Sequence, residues 1–231
     1  MFVFFATQVA AQEITLNLGN ETELTERSIQ LIVLLTILSL VPGLAIMFTC
    51  FPFMVTVLGI LRQGIGLQQS PPNMLIITLA LFLTYFVMEP VFDEAWNNGI
   101  EPVLEDTLTF QEGVRETIIP FRLFMEKRVN PSTISTLADL RGENQEVSSR
   151  EISMSILLPS FLLSEIERAF QIGFVIFIPF LIIDLTVAAI LMSMGMMMVP
   201  PVIVSLPFKL AFFVVADGWS LISSALVRSY F

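Results

Sequence analysis

Apolar residues gather along this chain in long runs at about residues 31–61, 74–92, 169–192 and 199–227, each of a length suited to a bilayer-spanning helix. The runs form two hairpins around a polar middle. The first is too long for one straight span, and Pro42-Gly43 is the expected place for a kink or a break. Residues 62–73 follow, Arg-Gln-Gly-Ile-Gly-Leu-Gln-Gln-Ser-Pro-Pro-Asn, whose glycines permit a tight reversal and whose prolines can begin the next helix. In the middle, Val114, Ile118, Phe121, Met125 and Val129 recur at near-helical spacing, and Asn130-Pro131-Ser132 marks a break before a further helix. Glu126, Lys127 and Arg128 read as a solvated helix face, and residues 141–150 as a polar loop. The pattern predicts an all-α chain: two long broken helical hairpins flanking a helical extramembrane domain. The expected divisions are a signal-peptide remnant at 1–11, an N-terminal segment with the first hairpin at 12–92, the helical domain at 93–155, and the second hairpin at 156–231.

Composition fixes the class. Hydrophobic residues make up 55% of the chain and charged ones 14%, and mean hydropathy is +0.82, which excludes an ordinary soluble globule. The net charge of -10, with Lys127 and Lys209 as the only lysines, argues against nucleic acid as a partner. Cys50 stands alone and histidine is absent, so neither a zinc cage nor a Ser/His or Cys/His pair can be assembled, and no cofactor is expected. The start, Met1 to Gln12, is a short apolar run followed by small residues and resembles a signal peptide cleaved after Ala11, although it lacks a basic n-region. That start sets the expected topology. The N-terminus, the middle domain and Tyr230-Phe231 face outward, and both hairpin turns face the cytoplasm.

Two features carry chemistry. Residues 192–201, Met-Ser-Met-Gly-Met-Met-Met-Val-Pro-Pro, place five methionines where a hairpin needs only a polar turn. Thioether chains are flexible, polarizable and uncharged, so such a cluster either fills an irregular core or serves as a deformable plug. The second feature is charge inside apolar runs: Asp184, Lys209 and Asp217, with Glu165 and Arg168 just ahead. Ionised groups in hydrocarbon must pair, meet water or lie against protein. Lys209 and Asp217 are about two helical turns apart and could share a face. No acid lies within four residues of Lys209, so its carboxylate is Glu165, Asp184 or Asp217. Glu165 of another copy is the leading expectation. Pro200, Pro201 and Pro207 are expected to break the final run, which at membrane depth is tolerated only beside protein or water.

These residues resemble the FliP family of the flagellar type III export gate. The likeness rests on Ile178 to Asp184, Met192 to Pro201, Ser205-Leu-Pro-Phe-Lys-Leu210 and Asp217-Gly-Trp219, and in the first hairpin on Leu61-Arg62-Gln63, Gln68 to Asn73 and Ala80 to Thr84. It departs at Phe51 to Met54, where many members carry a Thr-Arg-Ile run. The resemblance implies a homo-oligomer, a pentamer, with FliQ-like and FliR-like subunits, served by FlhB-like and FlhA-like proteins. The implied assembly is a helical pore in the bacterial inner membrane at the flagellar basal body, with its core drawn toward the periplasm. It conducts unfolded flagellar subunits, and Met194, Met196, Met197 and Met198 form its channel gate. Under the same resemblance Glu165, Asp184, Lys209 and Asp217 are buried or inter-subunit charges. The residues themselves leave the copy number open, as they do the choice between flagellar and injectisome apparatus.

Other classes fit less well. A small secondary transporter or proton channel could use Asp184, Lys209 and Asp217 as a relay, but no internal repeat accompanies them. An intramembrane protease would need a dyad motif that is missing. No phosphate-binding loop is present either, since the glycines at 64 and 66 lack the fingerprint and the lysine. The chain reads as a non-enzymatic transport protein.

Overall fold

The computed structural model describes residues 21–66, 71–142, 152–196 and 198–231, without the side chains of 21–26, 37, 40–42, 44 and 45. Everything regular among the described residues is helical. The expected signal remnant, the Gln68 to Ser70 part of the first turn, the loop at 143–150 and Met197 lie outside them.

Helix α1 (Glu21–Met47) runs without interruption through Pro42-Gly43. The expected break lies instead at Phe48 to Cys50. There Thr49 Oγ1 donates to the Ile46 carbonyl at 2.9 Å and accepts from the Phe51 amide at 3.4 Å. Pro52 then sits in the first turn of α2, where its missing N–H leaves nothing unpaired. Thr49 thus satisfies a carbonyl at the end of α1 and an amide at the start of α2, which is where the helix is interrupted. The stretch up to Gly43 is a unit to itself, with Leu31, Leu34, Leu35 and Leu38 exposed.

Residues 44–231 form one compact unit centred on α2 (Phe51–Ile65). Phe53, Met54, Val57, Leu58, Leu61 and Ile65 are all buried, each contributing on the order of 1.5–3 kcal/mol of transfer free energy. A segment that hydropathy alone would lay in lipid is thus the centre of the core. Helix α2 packs on α3 (Asn73–Ala95), on α7 (Met154–Ser193) and on α8 (Pro201–Val215). The approach to α7 is parallel, Ile60 beside Gly173 and Gly64 beside Phe177 and Phe180. It is close because Gly173 has no side chain: a Cβ there would fall 2.4 Å from Ile60 Cδ1.

Helix α3 passes position 93 without a break and continues through a π-helical turn (Trp96–Ile100) into the short α4 (Glu101–Leu104). Helix α5 (Phe110–Arg128) begins at a capping box in which Thr109 and Glu112 satisfy each other's backbone amides. Those bonds from Thr109 hold the Glu112 carboxyl below its ordinary range. Gly99 lets the π-turn touch α5, since a Cβ there would come 2.1 Å from Thr117 Oγ1, and Gly113 lets α5 touch α4, since a Cβ there would come 2.0 Å from Val103 Cγ2. Asn130 caps α6 (Pro131–Leu140) by accepting from the Ser132 amide at 3.1 Å. The middle region packs directly on the hairpins, α5 against α3 and α7, and α6 against α7.

Helix α7 is 40 residues, about 60 Å at the α-helical rise, twice a bilayer's apolar thickness. One face of its first part, Ile156, Leu157, Ser160, Phe161, Ser164 and Glu165, is buried, whereas Phe170, Phe174, Val175, Ile182 and Leu185 are exposed. Helices 73–104 and 154–193 are long and apolar enough to cross a membrane, and α8 with α9 (Gly218–Arg228) makes a third, bent candidate.

The final run does not break at Pro207, which lies inside α8. It breaks at Asp217, where the chain bends by 61° between α8 and α9. Asp217 holds a left-handed conformation (φ 47, ψ 49), and Gly218 follows because a Cβ there would meet the Phe213 ring at 2.2 Å.

Candidate functional site

The α7–α8 connection carries the methionines. Helix α7 ends in a Schellman turn: Gly195, at φ +75, donates to the Met192 carbonyl at 3.0 Å and Met196 donates to the Leu191 carbonyl at 3.0 Å. Pro200 caps α8 and Pro201 opens it. Between these two fixed ends, Met194, Met196 and Met198 are exposed, Met198 by 97%, and Met197 lies outside the described residues. The loop is apolar in sequence and uncharged, and it joins the two legs of the hairpin. None of Met194, Met196 and Met198 belongs to the buried core of this chain.

Fourteen residues before Met198, Asp184 faces α8. Its Oδ2 accepts from Lys209 Nζ at 2.6 Å and its Oδ1 from Ser205 Oγ at 2.5 Å. The expected partner, Glu165, is not the one used. Nineteen residues along α7 separate Glu165 from Asp184, roughly 28 Å of helix, and the antiparallel register of α7 and α8 sets Lys209 beside Asp184. Lys209 is almost fully buried, and its ammonium also donates to the Gly64 carbonyl at 3.0 Å. That carbonyl belongs to the last turn of α2, so Lys209 caps a helix of the first hairpin from the second, where the helix dipole favours a cation. The pair borders a cleft of about 420 Å³ lined also by Arg62, Gln63, Phe177 and Val202. Arg62 itself is bonded to Asn73 across the first turn.

Asp217 does not join this group. Helix α8 ends before it, so the shared face expected with Lys209 does not exist, and Asp217 is exposed.

Glu165 is fully buried and belongs to a second cluster. Its Oε1 accepts from Arg128 Nε at 3.0 Å, with Arg168 Nη1 3.8 Å away, and its Oε2 accepts from the Tyr230 hydroxyl. Arg128 reaches on to donate from Nη1 to the Ser229 carbonyl at 2.7 Å, and its guanidinium lies 3.9 Å from the centre of the Tyr230 ring. Burial first, then the Glu165 charge, pushes the Tyr230 phenol well above its ordinary range. Arg128 overturns the reading of 126–128 as a solvated face: Glu126 pairs with Arg122 at 2.8 Å and Lys127 is exposed, but Arg128 points inward. Neither Arg128 nor Tyr230 was picked out from sequence. The available signal was the acid at position 165, which needed a cation that Arg168, at the exposed end of an i, i+3 contact, supplies only in part.

No group of acids, cysteine or histidine among the described residues is arranged to hold a metal. The sequence model of the FliP family matches residues 34–226. The chain belongs to the FliP family. A relative from Caulobacter vibrioides, named flagellar biosynthetic protein FliP, is 46% identical over 225 residues, 97% of this chain and 85% of its own. Proteins of the same name from Bacillus subtilis and Aquifex aeolicus are each 41% identical. The first covers 92% of this chain and 96% of its own length, the second 99% and 94%. The FliP match takes in both hairpins, the methionine loop and the Asp184–Lys209 pair, and stops ahead of Tyr230.

Proposed function

We propose that this chain is a pore-forming subunit of the flagellar type III export gate, and that its methionine loop closes the passage. Membership of the FliP family places it in flagellum biogenesis and protein export, and its apolar helices fit a membrane location. In the proposed assembly several copies, a pentamer, combine with FliQ-like and FliR-like subunits and are served by FlhB-like and FlhA-like proteins. The core projects from the inner membrane toward the periplasm, and unfolded polypeptides pass through it.

The observation that carries the mechanism is the exposure of Met194, Met196 and Met198 on a loop fixed at both ends. Thioethers in water are unfavourable, so they seek cover. Loops converging from neighbouring copies bury them against one another at rest, and their flexible chains re-pack around whatever passes. Charged groups, by contrast, are kept from the loop: Asp184 and Lys209 neutralise each other inside the hairpin.

The proton-relay reading requires Asp217 to act with Asp184 and Lys209. Asp217 instead lies exposed at the α8–α9 bend, with no hydrogen bond to either among the described residues. The native mass of the complex extracted from its own membranes tests the proposal. Several copies of this chain with two other membrane subunits are expected, and a chain that purifies as a lone monomer from assembled basal bodies contradicts it.

A further inference from the structure

Helix α9 is joined to the remainder of the chain by a few apolar side chains: Ile222 and Leu226 are buried, Val227 packs on the core and Trp219 meets the Phe213 ring of α8 at 5.3 Å, while Ser220, Leu221, Ser224 and Ala225 face outward. Just beyond it the contacts change in kind. The Tyr230 ring stacks on Phe124 of α5 at 5.9 Å, with the planes within 10°, and meets the edge of Phe53 of α2 at 5.5 Å. Its hydroxyl bonds to Glu165 of α7, and Arg128 of α5 covers its face while holding the Ser229 carbonyl. One side chain thus touches three helices. At the other end of α9, Asp217 sits in the left-handed conformation that ends α8, its amide donating to the Val214 carbonyl at 3.1 Å, and the chain bends there by 61°.

We infer that Arg128, Glu165 and Tyr230 form a latch that holds α9 against the middle region, with Asp217 as the hinge on which α9 turns when the latch is open. The two ends explain each other. The bend at Asp217 sets where α9 leaves α8, the contacts of Tyr230 set where it ends, and the pin is polar and aromatic and therefore specific in direction. Apolar packing alone would let α9 slide, whereas a carboxylate that must be satisfied at zero exposure fixes Tyr230 in one place. A latch of this kind sets the position of α9 relative to α5 and α7 without touching the methionine loop, so it stands apart from the gate proposed above.

Hydrogen exchange on the full chain in its complex tests this, residue segment by residue segment. In Tyr230→Ala, exchange across 218–228 should rise at least tenfold, with α2 and the buried part of α7 unchanged. Tyr230→Phe keeps the ring and loses only the bond to Glu165, and should give a smaller rise confined to the same segment. An unchanged α9 in Tyr230→Ala means that its apolar side chains hold it and overturns the latch. A rise spread equally over α2 and α7 also overturns it, since Tyr230 would then be an ordinary part of the core. Should Tyr230→Ala fail to fold, Tyr230→Phe decides by the same two criteria.

Discussion

Lys209 Nζ lies 2.6 Å from Asp184 Oδ2 and 3.0 Å from the Gly64 carbonyl, so one ammonium joins both legs of the second hairpin to the end of a helix in the first. The hairpins are therefore registered against each other by charge as well as by packing. The Asp184 side chain is 28% exposed, which softens its desolvation, whereas that of Lys209 is 4% exposed.

Lys209→Ala leaves Asp184 with only Ser205 and uncaps Gly64, and should lower stability by about 3 kcal/mol, the lower end for a broken buried pair. Replacing both charges, Lys209→Met with Asp184→Leu, should recover most of that loss. Thermal unfolding in detergent of the two variants and the parent measures it. A double variant no more stable than Lys209→Ala alone would show that the ion pair is not the reason for the loss.

How far this pair was legible in sequence marks a boundary. That Lys209 needed an acid followed from its apolar neighbours; which acid depended on the register of α7 against α8, and a loop of irregular length hides register. The Schellman turn at Gly195 fixes it in the structure. Arg128 was hidden for another reason. Three consecutive charged residues on a helix point in three directions, and a charged run gives no sign that one of them turns inward. The helical class and the break before α6 at Asn130-Pro131 could be read because each rests on local chemistry. The passage of α1 through Pro42 could not, since it depends on where the next helix finds a better start.

Tyr230 gives a pH dependence. Burial and the Glu165 carboxylate raise its pKa above the ordinary value of 10.0, so the folded state retains a proton that the unfolded state releases. Its contribution is whole below about pH 10 and is lost as pH rises beyond that. Unfolding midpoints should fall on going from pH 9 to pH 11 more steeply in the parent than in Tyr230→Phe. Parallel profiles would mean that neither burial nor Glu165 holds the proton on the phenol.

Packing between α2 and α7 rests on Gly173. Gly173→Ala forces a Cβ to within 2.4 Å of Ile60 Cδ1 and should destabilise by about 1–3 kcal/mol, as overpacked cores do. Because the obstructing atoms belong to one flexible side chain, Ile60→Ala in the same protein should restore part of the loss. Denaturant titrations of the single and double variants decide it, and simple addition of the two losses would show that the contact is not the cause.

Conductance of the reconstituted complex with Met196, Met197 and Met198 replaced together by alanine is the most direct measure of the gate. In the proposed assembly the exposed thioethers of Met196 and Met198 are the volume that converging loops have available to fill a passage, and alanine is too short to replace it. A complex of normal subunit composition that conducts ions at rest, beside a tight parent, is the expected result. A triple alanine complex that assembles normally and remains as tight as the parent would contradict a methionine gate.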